Sequence, residues 1–204
     1  MCSSDLVSGE TIDYGPCAFI DAYSPKAVYS SIDQFGRYAY EQQPSMAHWN
    51  LAQLGSCFVP LLEEELGSQP KAIDALTETL NTFPDLYQAQ WRQVFGAKLG
   101  IADPDEDDLP LIQELLSLMA QDGADFTNSF YGLIDGTARD WFLDRDGFDA
   151  WNSRWETRRA PAAEDLMRSA NPALIPRTHR IEEAIQSALE GALLRLSSTS
   201  FSRR

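Results

Sequence analysis

Asp13 stands in "TIDYGP" (residues 11–16), an acid between a β-branched pair and a glycine-proline turn. Thr11 and Ile12 read as a short strand that delivers the carboxylate to an edge, and Gly15 frees the backbone directly after it. A hard divalent cation bound to nucleotide phosphates needs one or two such carboxylates rather than a full protein cage. The same triplet also serves as an ordinary turn, because Asp and Gly dominate turns. From the residues alone both readings stand.

A second candidate is "GRYAY" (residues 36–40), where Arg37 lies beside Tyr38 and Tyr40. Such a cluster could hold a phosphate or a protein hydroxyl substrate; Arg37 could equally pair with a carboxylate in so acidic a chain. Asp103, Asp105, Asp107 and Glu114 imitate a calcium loop, but Asp108 stands where that loop requires glycine and Pro110 stiffens it. Capping of a helix explains the same acids, and a turn before a helix explains "DRDGFD" at 144–149. His48 and His179 read as structural or surface histidines, and no G-x-S-x-G elbow is present. Nothing close in sequence would lower the Cys17 thiol pKa, so it reads as a small buried residue beside Phe19.

These groups must be positioned by 204 residues, enough for one domain or one large piece of a larger protein. With 44% hydrophobic residues the chain can bury a core, so wholesale disorder is excluded. A net charge of −15 argues against a broad nucleic-acid or acidic-membrane surface. No apolar run approaches the roughly 20 residues that span a bilayer. Cys2, Cys17 and Cys57 form no CxxC pair, and no export signal is visible, which points to reduced thiols and a cytoplasmic setting.

Residues 1–43 read as a strand, a turn and an extended loop, residues 44–196 as a helical lobe, and residues 197–204 as a flexible tail. Leu51, Leu54, Phe58 and Leu61 recur at helical spacing, predicting a buried stripe on a helix that Gly67 ends. Ser68 and Pro70 open a second helix with Ile73, Leu76, Leu80 and Phe83 on one face. Pro84 should break or kink it, after which Tyr87, Trp91 and Phe95 carry the pattern to Gly100. Leu111, Leu115 and Met119 mark a helix after the acidic stretch. Shorter helices follow around 126–133, 148–155 and 162–168. The last, from Thr178, is expected to bury Ile181, Ile185, Leu189 and Leu193. The five tryptophans fall at helical phases and read as core residues.

The order of "GETIDYGPCAFIDAY", "GRYAYEQQP", "WNLAQL", "KLGI", "LIQELLSLM", "DFTNSF" and "NPALIPRTHRIEEAI" resembles the selenoprotein O family, kinase-like protein adenylyltransferases. The "TIDYGP" and "GRYAY…QP…WNL" pieces are the specific ones. The resemblance implies a mainly α fold, the helical C-lobe of a protein-kinase-like architecture with a short strand-and-loop N-terminal segment. It implies transfer of AMP from ATP to Ser, Thr or Tyr hydroxyls of proteins, with Mg²⁺ or Mn²⁺. Asp13 falls on the family's metal-binding and ATP-binding aspartate.

The chain also departs from the family. An Asn-Thr-Asp-Asn-Met piece that carries the catalytic base and a second metal ligand should precede the D-x-G. Here "MCSSDLVS" stands instead, with Ser3 and Ser4 at the base and ligand positions and Asp5 out of register. The nucleotide-gripping N-terminal lobe and a cysteine-containing C-terminal tail have no counterpart, and "THR" replaces Asn-His-Arg. The expectation is a truncated chain, inactive alone, whose partners are ATP, protein substrates and a missing N-terminal lobe. The alternative is a noncatalytic helical interaction module in which Asp13 only caps a turn.

Overall fold

The computed structural model describes residues 19–190. Asp13, Cys2, Cys17, the strand expected at Thr11 and Ile12, Leu193 and the tail expected over 197–204 lie outside the described residues. Eight α-helices carry nearly all the regular structure of the described residues: α1 Gln43–Leu66, α2 Gln69–Asn81, α3 Phe83–Lys98, α4 Leu109–Asp122, α5 Phe126–Asp135, α6 Arg145–Arg158, α7 Glu164–Ala170 and α8 Thr178–Leu189. The extended backbone among these residues amounts to one isolated antiparallel bridge, Ala22 with Asp125. The protein is mainly α, as its apolar periodicity predicts.

Two compact units form among the described residues, Pro25–Arg92 and 19–24 with 93–190. In the first, α1 and α2 make an antiparallel pair. Gly67 ends α1 in the left-handed conformation at φ +67°, its N–H bonded to the Glu63 carbonyl. Ser68 takes the extended N-cap conformation, and Pro70 fills the first turn of α2. Pro84 sits in the first turn of α3, where its missing N–H costs nothing. It therefore opens a new helix after Thr82 rather than kinking an old one.

The face that α1 turns to α2 differs from the expected one. Gly55 is buried, with Leu76 and Leu80 3.8–3.9 Å from where its Cβ would lie. His48 joins that seam, bonding the Leu80 carbonyl at 3.1 Å and stacking on Phe83 with centroids 5.3 Å apart. The predicted stripe of Leu51, Leu54, Phe58 and Leu61 is instead 39–62% exposed. Helical spacing marks an apolar face but does not say what covers it, and α1 carries two such faces. Trp49 is likewise exposed rather than in the core, and Arg37 lies over its ring.

In the other unit, α4 packs on α6. Ile112, Leu115 and Met119 of α4 meet a core that includes Phe95, Leu99, Phe130, Trp151 and Met167. Trp151 and Trp155 stack at 5.7 Å, and their indole N–H groups donate to the Leu111 and Leu99 carbonyls, both at 2.8 Å. A buried aromatic thus keeps its polar end satisfied while filling volume. Gly100 terminates α3 at φ +73°, and a Cβ there would lie 2.5 Å from the Ala163 side chain.

The acidic stretch caps the short 3-10 turn Glu106–Asp108 that leads into α4, rather than α4 itself. Asp105 accepts from the Asp107 N–H while Asp108 accepts from the Asp105 N–H, and the buried Asp108 carboxylate pairs with Arg158 at 2.6 and 2.8 Å. Asp144 caps α6 through the Gly147 N–H. By contrast α8 buries none of its residues: Ile181, Ile185 and Leu189 are 43–77% exposed, so the predicted burial of that stripe does not hold.

Candidate functional site

The segment that follows the D-x-G triplet is where the described structure can speak about the candidate site. Tyr23 donates its backbone N–H to the Ala124 carbonyl, and the Phe126 N–H donates to the Asp21 carbonyl, both at 2.8 Å. These two bonds flank the Ala22–Asp125 bridge and lay residues 21–23 against the turn between α4 and α5. The buried Tyr23 ring stacks on Phe126 at 5.6 Å.

Three charged side chains close over that backbone pairing. Asp125, the N-cap of α5, accepts from the Asn128 N–H at 2.7 Å, as a short acid at a helix start does. Its two oxygens also accept from Arg177 at 2.6 and 3.0 Å, and Arg177 reaches Asp21 with the same Nη1. Arg177 occupies the N-cap position of α8, just after Pro176, with its side chain 15% exposed. The hydrogen bond to Asp125, with the nearby charges of Asp125 and Asp21, raises the guanidinium pKa against an opposing desolvation. Arg177 is therefore a fixed cation spanning two carboxylates from distant parts of the chain.

Lys98, at the end of α3, supports Phe126 from another direction. Its ammonium lies over the Phe126 and Phe130 rings at 5.5 and 5.2 Å, and it donates to the Ala170 carbonyl and the Asn171 side-chain oxygen. Asn171 is buried and returns a bond from its amide nitrogen to the Lys98 carbonyl at 2.9 Å. Burial lowers the Lys98 pKa to about 8.

Of the residues singled out in sequence, Asp13 lies outside the described residues. Arg37 is exposed in the other unit: its N–H and that of Tyr38 bond to the Asp33 carboxylate, and its guanidinium lies 5.0 Å from the Trp49 ring centroid. No ion pair holds it among the described residues. No group of three metal-ligating side chains occurs among them either. Asp21, Lys98, Asp125, Asn171 and Arg177 were not picked out in the sequence. Asp125 and Arg177 lie inside quoted motifs, but 52 residues separate them and 156 separate Arg177 from Asp21, so no local spacing links them.

The family comparison now bears on this arrangement. A model of the family described as protein adenylyltransferase SelO matches residues 4–196. The chain belongs to the SelO family. It is 49% identical over 187 residues to the protein nucleotidyltransferase YdiU of Ruegeria sp. (strain TM1040), covering 91% of this chain and 39% of that protein. The same-named proteins of Ruegeria pomeroyi and Clostridium botulinum are 48% and 44% identical, over 91% and 90% of this chain and 39% and 38% of theirs. This SelO-family chain thus spans about two fifths of the length of those relatives. The matched span includes both Asp13 and the Asp21–Arg177–Asp125 clasp. No helix among the described residues is long and apolar enough to cross a membrane.

Proposed function

We propose that this SelO-family chain supplies the metal-binding carboxylate, Asp13, and the helical C-lobe of a kinase-like protein adenylyltransferase. The observation that carries the reading is the family match over 4–196, which contains "TIDYGP", together with relatives named as protein nucleotidyltransferases. In the reaction a protein Ser, Thr or Tyr oxygen bonds to the α-phosphorus of ATP. The bond to the β-phosphate oxygen breaks, pyrophosphate leaves, and the hydroxyl proton passes to a general base. Mg²⁺ or Mn²⁺, when bound, neutralises charge developing on the α-phosphate and the leaving pyrophosphate.

A carboxylate such as that of Asp13 is a suitable hard oxygen donor for such an ion, and the ion needs few others from protein. Asp21 and Asp125 are engaged by Arg177, and the ion is assigned to Asp13 on the motif match alone. Arg37, beside Tyr38, has its guanidinium exposed on aromatic faces and suits a phosphate or substrate contact. The base belongs to a family piece that this chain replaces with Ser3 and Ser4, so the 204 residues alone bind ATP weakly and transfer no AMP, since such groups act as a unit.

The test is a titration of the chain and its Asp13→Asn variant with Mn²⁺ and ATP by calorimetry, run beside an assay of labelled-AMP incorporation into protein. Weak Mn²⁺-dependent ATP binding that the substitution removes supports the reading. Equal binding by parent and variant rules out Asp13 as the ligand, and sustained incorporation by the chain alone refutes its dependence on groups beyond these 204 residues.

A further inference from the structure

Among the described residues, the apolar stripe of α1 lies exposed along one face of the helix. Leu51, Leu54, Phe58 and Leu61 succeed one another at spacings of three and four, so they form one continuous row along the helix. Their exposures are 39%, 44%, 45% and 62%. The row lies beside the face that α1 turns to α2, where Gly55 and His48 already make the intramolecular seam. Scattered exposed leucines need no explanation, but a contiguous row of four large apolar side chains marks an interaction surface.

The relatives are longer than this chain, which supplies a candidate occupant. Nine tenths of this chain aligns with only 39% of the Ruegeria sp. relative, so the other three fifths of that protein has no counterpart here. A second copy of this chain is the poorer occupant. Each copy carries a net charge of −15, and Glu63, Glu64 and Glu65 continue the same helix past Leu61, so two copies would bring like charges together.

We propose that the Leu51–Leu54–Phe58–Leu61 row is the docking surface for the family polypeptide outside the span of this chain. In a full-length relative that polypeptide covers the row within one molecule. The inference concerns packing and stands apart from the AMP-transfer reading, because it is tested without nucleotide, metal or turnover.

The experiment is thiol labelling read residue by residue with mass spectrometry. Leu54→Cys is made in this chain on a Cys57→Ser background, because Cys57 is itself an exposed thiol. The matching substitutions are made at the aligned positions of the full-length Ruegeria sp. relative. Each rate is divided by that of the same protein unfolded in denaturant, and Leu61→Cys repeats the measurement one helical step on. The expected result is near-unhindered labelling in this chain and labelling at least about tenfold slower in the full-length relative, where opening must precede reaction. Equal normalised rates in the two proteins at both positions overturn the proposal. So does slow labelling in this chain that deepens as its concentration rises, which would assign the row to a second copy.

Discussion

Arg177 grips Asp125 through two hydrogen bonds of 2.6 and 3.0 Å, and with the same guanidinium it holds Asp21 from the segment that follows the D-x-G triplet. One cation thereby joins the start of α8, the start of α5 and an extended stretch that has little regular structure of its own. Both partners of the main pair are about 15% exposed, so solvent competes weakly for them.

Removing that cation should release the segment. Arg177→Ala leaves the Asp125 carboxylate half-satisfied by the Asn128 N–H alone and is expected to cost about 2–3 kcal/mol of stability. Hydrogen exchange should quicken at the Tyr23 and Phe126 amides, which pair across the Ala22–Asp125 bridge, more than at the α4 core. Arg177→Lys, which cannot reproduce the two-pronged contact, should recover only part of the protection. Unchanged exchange at Tyr23 in the alanine variant would show that the backbone pairing holds without the clasp.

Lys98 gives the protein a pH dependence of definite sign. Its pKa is about 8 when folded against an ordinary 10.5, so the unfolded chain binds more protons between those values. Stability from this group therefore rises with pH across that window, and the burial penalty is fully present below pH 8. Lys98→Met deletes the charge and keeps the chain length. Measured by denaturant unfolding, the parent should gain on the variant by on the order of 2–3 kcal/mol between pH 7.5 and 10, other titrations cancelling in the difference. A flat difference would mean that the ammonium is solvated rather than buried over Phe126 and Phe130.

Gly100 is a position at which a single methyl group meets two obstacles at once. Alanine there meets both a left-handed φ of +73° and the Ala163 side chain at 2.5 Å. The backbone and overlap costs add, so Gly100→Ala should lower stability by about 3 kcal/mol. Gly67→Ala, with φ +67° and open space around the site, should cost only about 1 kcal/mol. Comparable losses in the two variants, by thermal or urea unfolding, would show that close approach of Ala163 contributes nothing.

Where helices begin and end was written locally, because the signals act within a turn of backbone. Gly67, Pro70, Asp105, Asp108 and Asp144 fix caps and first turns through their own conformational limits and short hydrogen bonds, whatever surrounds them. Pro84 was read as a break or a kink, and a break is what occurs: α2 ends at Asn81 and α3 opens at Phe83. The family was legible too, from the quoted motifs, and the family match over residues 4–196 bears it out.

Which apolar face each helix buries was settled only by tertiary packing. On α1 the row from Leu51 to Leu61 and the seam at His48 and Gly55 are both compatible with a helical period, and α2 selected the second. The clasp was beyond the sequence for a related reason: Asp21, Asp125 and Arg177 are anonymous charges until the turn before α5 and the start of α8 meet residues 21–23. Local chemistry specifies an element, but Arg177 acquires Asp125 and Asp21, 52 and 156 residues away in sequence, only when those segments share one volume.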